Sequence, residues 1–255
     1  MSLPTLADRR VWREEPRQRK PVMFQKWRDL LFLHWQVEPA LIQATLPPGL
    51  FVDTFAGSAY LGLVPFFMCD IRPRLLPAVP GISNFLETNI RTYVYDKNGT
   101  PGVWFYSLDA SQWLAVFVAR TFFKLPYYHA RMKAVRAAGM IQYETRRRNT
   151  RARASVFHYQ PQDKLSQAEP GTLEFFLVER YILFAETRSG LACGQVYHTP
   201  YPIQPVNVSQ WDDALLEQAG FARPQRPPDH VLMSPGVNVK IYALLPAAQT
   251  HPAGK

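Results

Sequence analysis

The spacing of hydrophobic residues along the chain predicts four short helices. Hydrophobic side chains at positions 24, 27, 30 and 31 recur at the intervals of an amphipathic helix, which would end near residues 34–35. A second helix would begin at Glu38, since proline is tolerated in the first turn, and would end before Pro47. Residues 112–123 are apolar on most sides, which predicts a buried helix. Ser209 is a suitable N-cap for a last helix, with Gly220 just beyond its end.

Elsewhere the hydrophobic pattern predicts strands. The predicted strands are 51–55, 59–72, 85–95, 103–109, 140–147, 151–160, 174–185, 190–198 and 237–244. Three pairs of neighbours are separated by short turns and should form hairpins, one of them closed by the Asn-Gly pair at 98–99. We therefore expect a mostly β (α+β) fold with antiparallel strands and a few short helices. This pattern suits a barrel or a sandwich better than an α/β fold.

The composition is typical of a packed globular protein. Of 255 residues, 47% are hydrophobic and 19% are charged, which excludes a disordered chain. The 23 prolines predict many chain reversals, because proline can neither donate to a sheet nor lie inside a helix. Without an internal repeat or a linker, we predict a basic N-terminal arm (1–22), one domain (23–246) and a C-terminal tail (247–255). No apolar run approaches the ~20 residues that span a bilayer, so we expect a cytoplasmic protein without a membrane partner.

The formal net charge of +9 calls for a test of the nucleic-acid hypothesis. Much of the excess lies in the N-terminal arm and in the arginine-rich stretch 146–153. This stretch is typical of two strands joined by a tight turn at Asn149, with arginines at the exposed end. We interpret it as a solvated hairpin tip or an interaction patch and expect no nucleic-acid partner, because no stacking-aromatic motif accompanies it.

Polar side chains alternate along the predicted strand 85–95. Successive side chains of a strand point to opposite faces, so every second residue from position 87 shares one face. These residues are Glu87, Asn89, Arg91 and Tyr93. The neighbouring strand, 103–109, is apolar on both faces, which indicates an interior position and a cavity lined by its partner's polar face. The alternative is an ordinary solvent-facing side of an antiparallel strand.

Three further residues are candidates for chemistry. Asp109 ends strand 103–109, and Arg120 interrupts an otherwise apolar helix. A guanidinium in that position needs Asp109 or Glu87 as a partner, or an anionic ligand, because an unpaired buried charge is costly. His198 lies in a rigid, proline-containing segment, although a lone histidine is more often structural. The six histidines lack the spacing of metal ligands, so we expect no metal site.

Several motifs occur together and in order along the chain. They are LPPGL at 46–50, GLVPF at 62–66, ETNIRTYV at 87–94, GVWFYSLD at 102–109, Ala119-Arg120, and LPY at 125–127. Over residues 23–245 the chain resembles the YqjF-like proteins, a bacterial family of uncharacterised function that looks like a branch of the acetoacetate decarboxylase-like superfamily. The resemblance implies a closed, cone-like β barrel around a small-molecule cavity. It also implies a possible homo-oligomer, since superfamily members assemble.

The resemblance also implies that one part of the superfamily's chemistry is lost. The decarboxylase has Gly-Phe-Pro-Lys-Lys, and its first lysine forms a Schiff base with the substrate. The similar stretch here is Lys124-Leu125-Pro126-Tyr127-Tyr128, so both lysine positions are tyrosines and Lys124 matches the glycine. A phenol cannot condense with a ketone, and we therefore expect no amine catalysis and no acetoacetate decarboxylase activity.

The leading hypothesis is an enzyme that acts on a small carboxylate or keto acid, without a Schiff base and without a cofactor. A guanidinium would hold the substrate carboxylate, a buried carboxylate would act as general base, and a phenol would donate to a developing enolate oxygen. The candidates are, in turn, Arg91 or Arg120, Glu87 or Asp109, and Tyr127 or Tyr128, with Asn89 and His198 as further substrate-binding residues. Hydration, enol–keto tautomerisation and aldol-type lysis would all fit.

Two alternatives stay open on the sequence alone. The first is a non-catalytic module that captures a small organic acid or an apolar metabolite in the same cavity, which needs only the cavity and an arginine. The second is a protein that binds RNA or another anionic surface through the arginine-rich hairpin, with an affinity that falls steeply with salt.

Overall fold

The computed structural model describes residues 3–249, which fold into strands with a few short helices. The strands are β1 (Met23–Val37), β2 (Leu50–Val52), β3 (Ala59–Pro73), β4 (Phe85–Asp96), β5 (Pro101–Ala110), β6 (Tyr127–Ala137), β7 (Met140–Arg147), β8 (Ser155–Pro161), β9 (Ser166–Gln167), β10 (Ile182–Thr187), β11 (Gly190–Tyr197), β12 (Pro202–Ile203), β13 (Val206–Gln210), β14 (His230–Ile241) and β15 (Leu245–Pro246). The helices are α1 (Leu6–Val11), α2 (Pro39–Gln43), α3 (Trp113–Phe122), α4 (Leu173–Val178) and α5 (Ala214–Gln218), and a 3-10 turn follows at Ala247–Gln249. The fold is mostly β, as the hydrophobic pattern predicts.

Seven strands follow one another in a cycle of pairings. The order is β5, β10, β11, β14, β1, β3 and β4, and β4 pairs with β5 again. Strand β6 leaves this cycle at β5 and continues through β7 and β8 to β13. Side chains of β7 and β8 pack with those of β1, β3 and β4, so this second layer covers the outer face of the cycle.

Two of the pairings are parallel. Along the edge opposite β4, strand β5 runs parallel to β10 at residues 103–104 and to β6 at residues 108–110. The remaining ladders between the described strands are antiparallel, as expected. The prediction of antiparallel strands is therefore wrong at β5, because short hairpin turns, on which the prediction rested, report only pairs of consecutive strands.

Strand β1 replaces the helix predicted over residues 24–35. Leu30 and Phe32 pack on the inner side of the cycle, whereas Leu31 and Leu33 pack against the second layer. A strand covered on both faces presents a continuous apolar run instead of an alternating one. Asp29, with φ 51, lies at an irregularity within the strand, where the register with β3 shifts and the phase of the pattern changes. The two effects together imitate helical spacing.

Other elements differ from the prediction in smaller ways. The segment 174–185 is helix α4 followed by the start of β10, instead of one strand. A short apolar run with burial on every side does not distinguish the two structures by periodicity. Ser209 lies within β13, and the N-cap of α5 is Asp213. Strand β6 was not predicted, whereas α2 and the turn at Asn149 are confirmed.

Helix α3 lies where the sequence predicts a helix, but it is not buried. Trp113, Phe117 and Phe122 are 62%, 59% and 67% exposed. The opposite face of α3 packs on the protein through smaller residues such as Val116 and Ala119. Within residues 3–249, no helix is long and apolar enough to cross a membrane.

The N-terminal segment packs against the sheet. Trp12 is buried in a cluster with residues of β4 and β10. Arg9 donates two hydrogen bonds to Asp53, of 2.6 and 2.8 Å, and the same carboxylate accepts one from Arg180 at 2.8 Å. At the other end, Ala247 joins the Trp12 cluster. Of the predicted C-terminal tail, residues 250–255 lie outside the described residues.

Candidate functional site

A cavity of about 460 Å³ lies inside the cycle of strands. All seven strands of the cycle contribute side chains to its wall, together with α3 and the loop 74–84, which we call the mouth loop. Side chains of the mouth loop such as Leu76, Val79 and Ile82 line the cavity and are also exposed to solvent. The mouth loop and α3 therefore mark the opening of the cavity.

The wall of the cavity is apolar except for a small group of polar side chains. These are Gln25, Ser83, Glu87, Asn89, Arg91, Tyr127 and Tyr201. Of the residues that the sequence singles out, the structure brings together Glu87, Asn89, Arg91 and Tyr127 on this wall. The polar face of β4 thus lines a cavity and does not face solvent.

The register of β4 and β5 determines which polar side chains face inward. Glu87, Asn89 and Arg91 alternate along β4 and therefore share its inner face. The pairing shifts by one residue between Ile90–Ser107 and Arg91–Phe105. This shift turns Phe105 into the cavity and leaves the intervening Tyr106 outside, where its ring centre lies 4.7 Å from that of Phe221.

Glu87 is a buried carboxylic acid that titrates near neutral pH. Its Oε2 accepts a hydrogen bond of 2.8 Å from the Tyr127 hydroxyl. Burial raises the pKa of Glu87 to about 7, because the desolvated carboxylate is disfavoured, while the hydrogen bonds from Tyr127 and Asn89 lower it only in part. The nearby charge of Asp109 adds a small increase to the same pKa. Glu87 is therefore suited to accept and return a proton near pH 7.

Tyr127 complements Glu87 as a hydrogen-bond donor. Burial raises the pKa of Tyr127 well above its ordinary value, and the neighbouring Glu87 carboxylate raises it further. The phenol consequently stays protonated, and its hydroxyl points toward the carboxylate inside the cavity.

Arg91 brings a positive charge to the cavity wall. Its guanidinium donates a 3.3 Å hydrogen bond to the carbonyl of Leu177 and lies 5.4 Å from the centre of the Phe32 ring. Among the described residues no carboxylate forms an ion pair with it, and its Nε has no hydrogen-bond partner. The Oδ1 of Asn89, two residues earlier on the same face, also has none. An anionic ligand in the cavity would satisfy the guanidinium.

Asp109 and Tyr128 lie on the other face of their strands. Asp109 pairs with Thr88, whereas the inward-facing Glu87 pairs with Ala110. The Asp109 carboxylate accepts hydrogen bonds of 2.8 and 3.1 Å from the buried guanidinium of Arg147. Burial raises the pKa of Asp109 even though Arg147 acts to lower it.

Tyr128 follows the same alternation on β6. It is 40% exposed, and the Arg147 guanidinium stacks 3.8 Å from its ring centre. Neither Asp109 nor Tyr128 is part of the cavity wall. Two of the predicted catalytic residues thus belong to a structural cluster between β5, β6 and β7.

Four of the five arginines in the stretch 146–153 are exposed, and the fifth, Arg147, is buried. Arg147 is buried against Asp109, and Arg153 forms an ion pair of 2.8 Å with Asp212. The turn itself lies at Asn149, which has a φ of 58. Part of the positive charge assigned to an exposed tip is therefore neutralised within the fold.

Arg120 and His198 also lie outside the cavity wall. Arg120 is exposed on α3, so the predicted pairing with Asp109 or Glu87 does not form. His198 is buried behind Tyr201, with ring centres 4.5 Å apart, and its Nδ1 is 2.7 Å from the Thr199 carbonyl oxygen. Burial lowers the pKa of His198 to about 4, so the ring is neutral at physiological pH.

Sequence reasoning missed two aromatic residues of the cavity. Tyr201 lines the wall, and its backbone N–H donates to the Glu179 carboxylate at 3.0 Å. It lies in the same proline-containing segment as His198. Trp27 lines the wall from β1, and the mistaken helix concealed its position.

No lysine of the described chain lines the cavity. Lys124, which lies closest in sequence to the decarboxylase lysine positions, is exposed in a left-handed backbone conformation with φ 53. The amine group that a Schiff base requires is thus absent from the described wall, and Tyr127 is present at the expected place.

Comparison with known proteins identifies the family. A profile of the DUF2071 family, described as an uncharacterized conserved protein, matches residues 24–238. The chain belongs to this family. It is also 37% identical, over 207 residues, to the uncharacterized protein YqjF of Bacillus subtilis, which covers 81% of this chain and 85% of YqjF. The resemblance to YqjF-like proteins is thereby confirmed.

Solved structures show the same fold at low sequence identity. Acetoacetate decarboxylase from Legionella pneumophila superimposes with a TM-score of 0.60 and 14% identity, covering 96% of this chain and 97% of the other. The enduracididine biosynthesis enzyme MppR gives a TM-score of 0.60 and 14% identity, with 89% and 87% covered. An acetoacetate decarboxylase-like enzyme from Sphingomonas wittichii superimposes with a TM-score of 0.58 and 12% identity, covering 89% of this chain and 94% of the other. The chain has an acetoacetate decarboxylase-like fold.

Proposed function

We propose that this protein is an enzyme that transfers a proton at the carbon next to the carbonyl of a keto acid, without a Schiff-base lysine. The supporting observation is a carboxylic acid with a pKa of about 7, Glu87, in the same cavity as the unpaired guanidinium of Arg91. A buried base that titrates near neutrality and an anion-binding group are the two parts that such a reaction needs.

Arg91 would bind the carboxylate of the substrate. A guanidinium can donate two parallel hydrogen bonds to a carboxylate, and its Nε is free to provide one of them. Inside the apolar cavity this interaction would be stronger than in water, and it would orient the carbonyl toward Glu87.

Glu87 would act in its ionised form as general base. It removes the proton from the carbon next to the carbonyl, the C–H electron pair forms the carbon–carbon double bond of an enolate, and the negative charge moves to the carbonyl oxygen. Tyr127, turning from Glu87 to that oxygen, would donate a hydrogen bond to it. Return of the proton from Glu87 to the same carbon regenerates the keto acid and allows exchange with solvent, whereas delivery of that proton to the enolate oxygen gives the enol and completes a tautomerisation. Hydration or aldol-type lysis would use the same enolate.

Similar proteins support this reading of the cavity. MppR, whose fold is similar, has been solved in a complex with pyruvate, a keto acid.

We further propose that the cycle of seven strands is a closed barrel whose interior is the binding site, and that the ligand enters past α3 and the mouth loop.

The test is exchange of solvent deuterium into keto acids, followed by proton NMR. We expect exchange that Glu87→Gln reduces by about a hundredfold or more, since a general base contributes on that scale. Arg91→Gln should raise KM, because it removes the carboxylate anchor. Lys124→Met should leave exchange unchanged, and borohydride should trap no adduct. Exchange that survives Glu87→Gln, or an adduct that depends on Lys124, would refute the proposal.

A second candidate is a non-catalytic binding module for an organic acid or apolar metabolite. The largely apolar wall with a single arginine favours it, since binding requires no base. Saturable binding of an acid, with no deuterium exchange over long incubation, would decide for this candidate.

A further inference from the structure

The polar and apolar parts of the cavity wall are separated. Three of the charged or amide side chains, Glu87, Asn89 and Arg91, come from β4. The neighbouring strand β3, and β1 beyond it, contribute mainly apolar side chains, including Leu30, Val64 and Met68. A ligand that fills this cavity therefore needs a polar group at one end only.

The cavity is large for a small keto acid. At roughly 30 Å³ for each non-hydrogen atom, the share of a water molecule in the liquid, 460 Å³ corresponds to about 15 such atoms. An acid as small as pyruvate would leave most of the apolar wall without contact. Water would gain little by filling that space, because an apolar wall offers it few hydrogen-bond partners.

The apolar part of the wall continues to the mouth. Leu114, Ala115 and Val118 of α3, with Leu76 and Val79 of the mouth loop, line the side of the cavity that leads to solvent. An apolar chain anchored by its head at β4 would thus find apolar contacts along its whole length.

We propose that the ligand is a carboxylic acid with an apolar body of about eight to twelve carbon atoms, the size that the cavity volume admits. Its carboxylate pairs with Arg91, and its apolar body lies along β1, β3 and α3 toward the mouth. This inference rests on the proposed function for the position of the carboxylate, and it extends that function by naming the substrate class.

Saturated straight-chain acids test the proposal by binding alone, because they have no carbonyl to react. Isothermal titration from butanoate to dodecanoate should show an affinity that rises about fourfold with each added methylene and then levels off. The alcohols of equal length should bind more weakly. Arg91→Gln should remove this difference between acid and alcohol. Ala115→Leu, which fills the wall of α3, should move the plateau to shorter acids.

The outcomes separate the ligand class from the enzymatic function. An affinity that does not change with chain length, or equal affinity for acids and alcohols, would refute the ligand class even if short keto acids exchange deuterium. The expected rise with chain length, without exchange for any keto acid, would keep the ligand class and refute the enzymatic function.

A second inference concerns the outer surface around the mouth. Seven large apolar side chains are exposed on α3 and the mouth loop: Leu75, Leu76, Val79, Ile82, Trp113, Phe117 and Phe122. The Gln112 side chain donates to the Gly81 carbonyl at 2.9 Å, which joins the two segments into one apolar rim. Exposed patches of this kind, next to an apolar cavity, are typical of interaction surfaces.

Positive charges outnumber negative ones near the apolar rim, where Asp70 forms an ion pair with Lys26. Residues 71–86 and 110–143 contain no aspartate or glutamate, but they include the exposed Arg74, Arg120 and Lys124. Apolar side chains flanked by basic ones are complementary to a bilayer that carries anionic lipids. Because the rim surrounds the mouth, an apolar acid could pass from the bilayer to the cavity without crossing water.

We infer that the apolar rim docks on the surface of an anionic lipid bilayer, in contrast to the expectation from sequence of no membrane partner. Vesicles of phosphatidylcholine with phosphatidylglycerol should capture the protein by flotation, and capture should fall as salt rises. The double variant Trp113→Ser, Phe117→Ser should lose most of it. The double variant Leu41→Ser, Leu165→Ser should not, although these side chains are 62% and 58% exposed elsewhere.

Three results would overturn the docking inference. One is the absence of capture at low salt, and another is equal capture by phosphatidylcholine alone. The third is a dimer in light scattering that the double variant at positions 113 and 117 dissociates, since a second copy of the chain would then cover the rim.

Discussion

At position 87 a carboxylate lies in an apolar cavity with one phenol 2.8 Å from its Oε2. The hydrogen bond from Tyr127 favours the charged form, but desolvation outweighs it and raises the pKa of Glu87 to about 7. The residue that serves the proposed chemistry is therefore also one that costs stability when it ionises. Stability and activity should consequently respond to pH in opposite directions at this residue.

The stability of the fold should reveal the ionisation of Glu87. A carboxyl whose pKa is raised on folding stabilises most below its unfolded pKa of 4.5, and this contribution is lost as pH rises through about 7. Glu87→Gln keeps an acceptor for Tyr127 but cannot ionise. We expect its free energy of unfolding, relative to the wild type, to increase by roughly 2 kcal/mol between about pH 5 and about pH 8. Urea denaturation of the wild type and of Glu87→Gln at both pH values measures this change. If the difference in unfolding free energy between the two proteins stays the same at both pH values, the raised pKa is contradicted.

The activity should follow the opposite direction. If ionised Glu87 is the base, the kcat/KM of deuterium exchange should rise as pH increases through about 7 and then level off. Glu87→Asp should keep a pH-dependent rise, with a lower rate because the carboxylate is withdrawn from the substrate. A rate that is flat from about pH 5 to about pH 9 would exclude this base.

At the scale of the elements, alternation and register decide which candidates enter the cavity. The parallel pairing of β5 with β6 sets Leu108 opposite Tyr127 and Asp109 opposite Tyr128. The first pair lines the cavity, and the second faces the arginine of β7. One step along each strand thus separates a candidate catalytic residue from a structural one.

The buried ion pair between Asp109 and Arg147 should matter for stability. Arg147→Ala leaves the Asp109 carboxylate buried and unpaired, and we expect a loss of about 3 to 5 kcal/mol in the free energy of unfolding. The double variant Arg147→Met, Asp109→Leu removes both charges and should recover much of this loss. Chemical denaturation compares the single variant and the double variant with the wild type. Equal losses of unfolding free energy in the single and the double variant would show that an unpaired Asp109 carboxylate is not the cause of the loss.

At the scale of the whole molecule, the N-terminal segment behaves as part of the fold. Trp12 is 4% exposed, and Arg9 completes the hydrogen bonding of the buried Asp53 together with Arg180. Burial lowers the pKa of Arg180 to about 10, and the Asp53 carboxylate opposes that decrease. The N-terminal segment therefore covers the charged groups of Asp53 and Arg180, which the sheet alone would leave uncovered at its edge.

Removal of Trp12 should destabilise the whole protein. Trp12→Ala leaves a cavity in the cluster with Val94 and Phe184, and we expect a loss of about 3 to 5 kcal/mol in the free energy of unfolding. Arg10→Ala, an exposed change in α1, which Trp12 caps, should stay within about 0.5 kcal/mol of the wild type. Thermal or urea denaturation compares the two. A loss of similar size in both variants, or in neither, would show that the segment does not pack as described.

The sequence by itself determined that the fold is mostly β, that one face of β4 is polar and that lysines are absent at the decarboxylase positions. Each of these depends on local alternation or on residue identity, which a sequence shows directly. The tertiary structure alone decided that β1 is a strand, because burial on both faces removes the alternation that identifies strands. It also decided that Glu87 faces the cavity while Asp109 pairs with Arg147, because strand register depends on contacts between residues far apart in the chain.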